Sequence, residues 1–437
     1  MRRATIRDMA LGLGLGAAFA VLAPRLAPHA QAAPSNPQTL YAKVFEKVQA
    51  LYVEEPDAQK MNRAAIAAML VSLDPHSSYF DPKSFGEFQQ SMKGEKFGGL
   101  GIEIVQENAL VRVVSPIDDT PAARAGIRSG DLIFQIDDLP VKDLSLKDAV
   151  DHMRGDPQTA VTLHIYRGPD RNVIDIKLTR EIIHVVPVRA HVEGGDIGYI
   201  RITQFGEETF DGVKKALAKF DADIGKDKLK GYIIDLRNDP GGLLNQAIEV
   251  VNAFVDNGVI VSTKGRLANS EQSFGARPGM NLSAGRPVVV LINGGSASAS
   301  EIVSGALQDL KRATLIGTRS FGKGSVQTVL PLGEAGAIKL TTARYYTPSG
   351  RSIQAKGIVP DSVILEDVPD ELKGKDAELG EASLRGHLKN GDEENQGSQA
   401  YVPPDPSKDK QLIAAVELLH GVKHAVGDKA TAPAKPN

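Results

Sequence analysis

The spacing of apolar residues changes along the chain, and each change marks a candidate boundary. Between 37 and 90, apolar side chains fall at Leu40, Val44, Val48 and Leu51, then at Met61, Ala65, Met69 and Leu70. That spacing of three to four residues predicts helices with one apolar face. Asp74-Pro75-His76-Ser77-Ser78 interrupts it with turn residues. From 97 to 180 the runs are short and β-like, at 101–105, 109–114, 132–136, 161–166 and 173–178. Two short helices are predicted at 121–125 and 146–153, and glycine turns at Gly126, Gly130 and Gly168. These five strands and two helices describe a small β-sandwich domain at 94–180.

Strands and helices alternate from 185 to 363. Buried strands are predicted at 197–202, 231–236, 288–292 and 313–317, and helices at 210–218, 246–254 and 299–310. This is the order of an α/β core, bounded at 181–365. Residues 366–437 form a tail. In it, 368–404 is charged, glycine-rich and poor in aliphatics, and reads as a linker or an exposed, poorly ordered stretch. A helical stripe returns at 409–422 through Leu412, Val416 and Leu419, and 431–437 reads as disordered.

Composition narrows the classes. The 437 residues allow two or three domains, and a net charge of −3 gives no sign of nucleic-acid binding. There is no cysteine, which excludes disulfides, thiolate catalysis and cysteine metal sites. Arg2, Arg3 and Arg7 precede an apolar run at 9–22 and a small-residue site, Ala30-Gln31-Ala32. Residues 1–32 therefore read as an export signal, and the expected location is the periplasm or cell envelope. The run is shorter than the roughly 20 residues of a membrane span. Left uncleaved, it would tether the chain to the membrane. Arg2-Arg3 admits the twin-arginine route as well as the general one.

Candidate chemistry concentrates in three turns. Asn293-Gly294-Gly295-Ser296-Ala297-Ser298-Ala299-Ser300-Glu301 presents serines among small residues where a helix begins. A helix N-terminus offers free N–H groups and a positive dipole end to an oxyanion. Taken alone, the run also fits an ordinary serine cap. Phe321-Gly322-Lys323-Gly324-Ser325-Val326-Gln327 sets a lysine between glycines, with no acid between Asp309 and Glu334. A buried lysine loses proton affinity and becomes a base, and Gln327 offers a carboxamide to orient it. Histidines stop at His191 and resume at His387, so a Ser-His pair would import its imidazole from outside this segment. A Ser-Lys pair needs no import. Asp235-Leu236-Arg237-Asn238-Asp239-Pro240-Gly241-Gly242 follows a strand and fits either an oxyanion donor or a plain strand-to-helix turn. Gly99-Leu100-Gly101-Ile102 opens the small β domain, where such a loop can hold a peptide carboxylate while the strand pairs with the peptide.

In this order the motifs resemble the carboxyl-terminal processing peptidases, secreted serine proteases with a PDZ domain. The resemblance runs from Leu40 to Ile364. It includes Leu73–Tyr79, Ser129-Gly130-Asp131-Leu132-Ile133 and Gly357-Ile358-Val359-Pro360-Asp361 besides the turns above. It implies a multidomain α/β fold: helical N-terminal segment, PDZ domain, crotonase-like α/β protease core and helical C-terminal tail. It also implies a Ser298-Lys323-Gln327 triad, an oxyanion hole at the N–H groups of Gly242 and Ala299, and a relay at Arg154. No metal or cofactor is called for. The partners implied are peptides or proteins with free apolar C-termini. A homo-oligomer is expected, and there is room for an adaptor. A catalytically idle PDZ scaffold and an esterase on a similar core are the competing readings.

Overall fold

The computed structural model describes residues 36–422, apart from 93–96, 108–109, 118–119, 129, 145, 168–170, 184–186, 268, 371–379, 392–393 and 395–396. The expected export segment at 1–32 and the tail at 431–437 lie outside the described residues. Among the described residues no helix is long and apolar enough to cross a membrane.

The chain divides into two compact units between Asn62 and Arg63. In the first, Asn36 caps helix Pro37–Leu51, its side chain accepting the Gln38 N–H at 3.0 Å, and no residue of the helix is buried. The apolar stripe at Leu40, Val44 and Leu51 therefore predicts the helix and is exposed on it.

In the second unit, the region expected to be helical holds a short strand as well. Ser78–Phe80 pairs antiparallel with the long strand Ala337–Tyr346. The small β domain follows its predicted elements: strands Ile102–Glu107, Leu110–Pro116, Leu132–Ile136, Ala160–Arg167 and Asn172–Thr179, and helices Pro121–Arg124 and Leu146–Met153. Val111, Ile133, Leu163 and Ile165 alternate inward and are fully buried. At about 1.5–3 kcal/mol for each such side chain, this alternation holds the sandwich. The segments entering and leaving it, Phe97–Gly99 and Glu181–Ile183, pair as an antiparallel ribbon.

The α/β core is built on a six-stranded sheet. Its order is Val188–Glu193, Ile197–Ile202, Gly231–Asp235, Val288–Ile292, Thr314–Gly317 and Ser362–Val363. The first pair is antiparallel and the rest parallel. Alternate residues sort between the faces, as a period of two requires. Ile200, Ile202, Tyr232, Ile234, Val290 and Ile292 pack with helices Thr209–Asp223, Leu244–Asn252 and Ala299–Asp309. Ile197, Tyr199, Ile233, Val289 and Leu291 pack with Leu412, Ala414 and Ala415 of helix Lys410–Leu419. A second sheet joins Val259–Gly265, Gln272–Gly275, Ser325–Pro331 and Ala337–Tyr346 to the short strand at 78–80.

One expectation is corrected. Residues 398–400 are not an exposed linker. The Gln399 carbonyl accepts the Gly294 N–H at 3.0 Å and Thr318 Oγ1 at 2.6 Å, and Asn293 Nδ2 donates to the Ala400 carbonyl at 2.9 Å. Hydrogen bonds to buried polar groups hold this stretch, so its shortage of aliphatics misled the reading.

Candidate active site

Strands Gly231–Asp235 and Val288–Ile292 are parallel neighbours, so their carboxyl ends release two turns side by side. α/β sheets present ligands at this edge. Asp239, fully buried, ties the turns together. Its Oδ1 accepts the Gly241 N–H at 2.8 Å, and its carbonyl accepts the Ala297 N–H and Ser300 Oγ, both at 2.9 Å. Asn238 and Asn293 add a reciprocal pair, at 2.9 and 3.0 Å. Gly241, at φ +98°, makes the approach possible: a Cβ there would stand 2.8 Å from both Ser298 Cβ and Ala299 N.

Ser298 caps helix Ala299–Asp309 at φ +54° and ψ −110°. A non-glycine residue in such a conformation costs about 1–3 kcal/mol and persists only where its surroundings enforce it. Here Glu301 enforces it, its Oε2 accepting the Ser298 N–H at 2.9 Å. The same oxygen accepts the Lys323 N–H at 2.8 Å. The other oxygen accepts the Gly322 N–H at 2.7 Å and Ser320 Oγ at 2.5 Å. One fully buried carboxylate thus joins the serine turn to the lysine turn. Burial pushes the Glu301 carboxyl up to about 7, against four donors that favour the ion. The N–H groups of Gly242 and Ala299 have no acceptor among the described residues.

Burial lowers the proton affinity of the Lys323 amine below the ordinary lysine range, while the charges of Glu381 and Glu301 pull it back. It forms no ion pair among the described residues. Gln327 Nε2 donates to Ser325 Oγ at 2.9 Å and to Thr341 Oγ1 at 3.3 Å. Among the described residues, no hydrogen bond links Lys323 Nζ to Ser298 Oγ or to Gln327. The backbone brings the serine and lysine turns together, and the side-chain contacts stay open.

In the small β domain Gly99 ends a strand and Leu100 is buried. Gly101 stands at φ +74°, where a Cβ would fall 2.3 Å from Thr120 Cβ. The Leu100 and Gly101 N–H groups have no acceptor among the described residues. Ile102, Ile104 and Leu146 beside them are partly buried and apolar. Arg154 follows helix Leu146–Met153, its N–H donating to the Val150 carbonyl at 2.9 Å. The guanidinium closing that helix belongs to Arg180, which reaches the carbonyls of His152 at 2.7 Å and Met153 at 3.1 Å.

Comparison with known proteins matches residues 196–364 to peptidase family S41 and 98–178 to the PDZ domain. A carboxy-terminal-processing protease of Bartonella bacilliformis is 51% identical over 417 residues, covering 95% of each chain. This chain belongs to the carboxy-terminal-processing proteases. A probable CtpA-like serine protease of Staphylococcus aureus is 36% identical over 324 residues, which cover 74% of this chain and 63% of that one. The solved photosystem II D1 C-terminal processing protease superposes with a TM-score of 0.59 at 29% identity, covering 79% of this chain and 98% of its own.

Three features of the protease escaped the sequence reading. Glu301 was legible only as a first-turn acid, and three of its four donors, Ser320, Gly322 and Lys323, lie some 20 residues away in the lysine turn. Arg237, also buried, holds Asp235 Oδ2 at 2.7 Å and Asp409 Oδ2 at 2.8 Å. It thereby joins the sheet to the C-terminal helix, which Asp409 caps through the Leu412 N–H at 2.8 Å. Burial would raise the Asp235 carboxyl, but Arg237, Arg201 and the Tyr199 hydroxyl together outweigh it and hold it at about 2. Thirdly, His76 meets Glu381, a pairing across 305 positions that no local pattern announces.

Proposed function

We propose that this carboxy-terminal-processing protease is exported to the cell envelope and cleaves proteins there near their C-termini through Ser298 and Lys323. The PDZ loop Gly99–Ile102 captures a free, apolar tail by strand addition, its open N–H groups facing the terminal carboxylate. Ser298 Oγ attacks the scissile carbonyl carbon while Lys323, as neutral amine, takes the hydroxyl proton. The tetrahedral oxyanion is held by the N–H groups of Gly242 and Ala299, an effect of roughly 3–4 kcal/mol for one donor. Lys323 then gives the proton to the departing amine, leaving an acyl-enzyme on Ser298. Water, deprotonated by the same lysine, hydrolyses the ester and restores the serine. Gln327, its amide nitrogen occupied by Ser325 and Thr341, offers its oxygen to orient the lysine.

The observation that carries this reading is the shared oxygen of Glu301, which receives both the Ser298 and the Lys323 N–H. Lys323→Ala and Lys323→Arg should each abolish cleavage of an unstructured protein, followed on a gel, with the circular dichroism spectrum unchanged. Arginine fails because it stays charged. Turnover by folded Lys323→Ala overturns the assignment.

A further inference from the structure

A second buried carboxylate stands behind the lysine turn. Glu381 is fully buried, and its N–H donates to the Phe321 carbonyl at 2.9 Å, two residues before Lys323. Its Oε1 accepts Gln354 Nε2 at 2.9 Å. Gln354 Oε1 accepts in turn the N–H of Gly324, the residue after Lys323, at 3.1 Å. Glu381 and Gln354 thus grip the lysine turn on both sides. His76 Nε2 lies 2.9 and 2.8 Å from the two Glu381 oxygens and holds the carboxylate in place. The turn that supplies His76 also reaches Gln327, through Asp74 Oδ1 and Thr341 Oγ1 at 3.0 Å and Thr341 Oγ1 and Gln327 Nε2 at 3.3 Å.

We propose that Glu381, held by His76 and Gln354, is a positioning residue for Lys323: it fixes the lysine turn and sets the negative potential at the amine. The start of the C-terminal tail is thereby part of the active site. This inference rests on Lys323 being the base.

Among the described residues, the charges that act on the pair are these. Lys323 faces Glu381, Glu301 and the cation of Lys339, with Asp74 beyond Lys339. Glu381 faces His76 and also His387, whose Nε2 is bonded to Glu394 at 2.9 Å. Burial favours the neutral amine, and the Glu381 charge opposes it. Removing that charge lets Lys323 shed its proton at lower pH.

The test is kcat/KM against pH for the full chain on a short reporter peptide, comparing wild type with Glu381→Gln. Glutamine keeps the shape and removes the charge. The acid limb should move to lower pH by about one unit. A merely structural role would lower activity at every pH and leave the limb in place, so an unmoved limb in folded Glu381→Gln overturns the inference. Should that variant not fold, Glu381→Asp withdraws the carboxylate by one methylene. It should shift the limb the same way by less, and an unmoved limb again refutes. Lys323→Ala separates the two readings. If it turns over, the base assignment fails. If it is dead and the Glu381→Gln limb is unmoved, only the present inference fails.

Discussion

Ser298 and Glu301 show how one residue's strain is carried by another's burial. The serine sits in a conformation it would avoid in a free chain, and its N–H is fastened to a carboxylate that also fastens the lysine turn. Glu301→Gln replaces an acceptor oxygen with a donor nitrogen, so buried N–H groups lose their partner. A loss of about 1–3 kcal/mol in unfolding free energy is expected, measured by urea titration, together with a fall in kcat. Unchanged values would remove the bridging role. Lys323 makes a prediction of sign. Its proton affinity is lowered by burial, and in the proposed role of base it must be neutral. Activity therefore falls as pH drops and the amine protonates, and rises to a plateau on the alkaline side. A pH–rate profile falling toward alkali from neutral pH would contradict this.

Among the elements, the C-terminal helix depends on charge as well as apolar contact. Leu412, Ala414 and Ala415 cover one face of the central sheet, and Arg237 anchors the helix start through Asp409. Arg237→Met takes the guanidinium from two buried carboxylates, Asp409 and Asp235, the latter keeping Arg201 at 3.9 Å, and costs about 3–5 kcal/mol. Thermal or urea unfolding would read this, and a loss below about 1 kcal/mol would show the ion pairs to be incidental. The pH dependence has a defined direction. Asp235 is held at about 2, below its ordinary 3.8, so its contribution is fully present above 3.8 and is lost as pH falls through about 2. The acid-unfolding midpoint of Arg237→Met should move to higher pH.

For the whole molecule, the paired ribbon of Phe97–Gly99 and Glu181–Ile183 is the connection between PDZ domain and core. Arg180, at the end of that connection, grips the last carbonyls of helix Leu146–Met153. A movement of the helix therefore reaches the ribbon through hydrogen bonds rather than through a slack linker. Two measurements follow. In the full-length Ser298→Ala protein, a peptide with a free apolar C-terminus should bind more tightly than its amide, and equal affinities by calorimetry would remove carboxylate recognition. A tail peptide supplied in trans should also change kcat on a short reporter, because ligand shifts an equilibrium by its differential affinity for the two states. An unchanged kcat at saturation would leave the PDZ domain as a tether, and Arg154 without a relay role.

Period and motif were enough to predict the alternating α/β core, the PDZ strands and the turns bearing Ser298, Lys323 and Gly242. Each of these is a local property: side-chain spacing selects helix or strand, and glycine or serine selects the turn. The serine and lysine turns leave the neighbouring parallel strands Val288–Ile292 and Thr314–Gly317 at one edge of the sheet. Tertiary structure alone decided what holds them. Glu301 receives donors from two turns, Arg237 reaches Asp409, 172 positions away, and His76 finds Glu381 at the far end of the chain. The stretch at 398–400 reads as solvated because it lacks aliphatics, yet the polar groups of the serine turn demand its carbonyls. A buried hydrogen bond between distant residues leaves no period in the sequence. It exists only once the core has folded and excluded the water that would otherwise satisfy both partners.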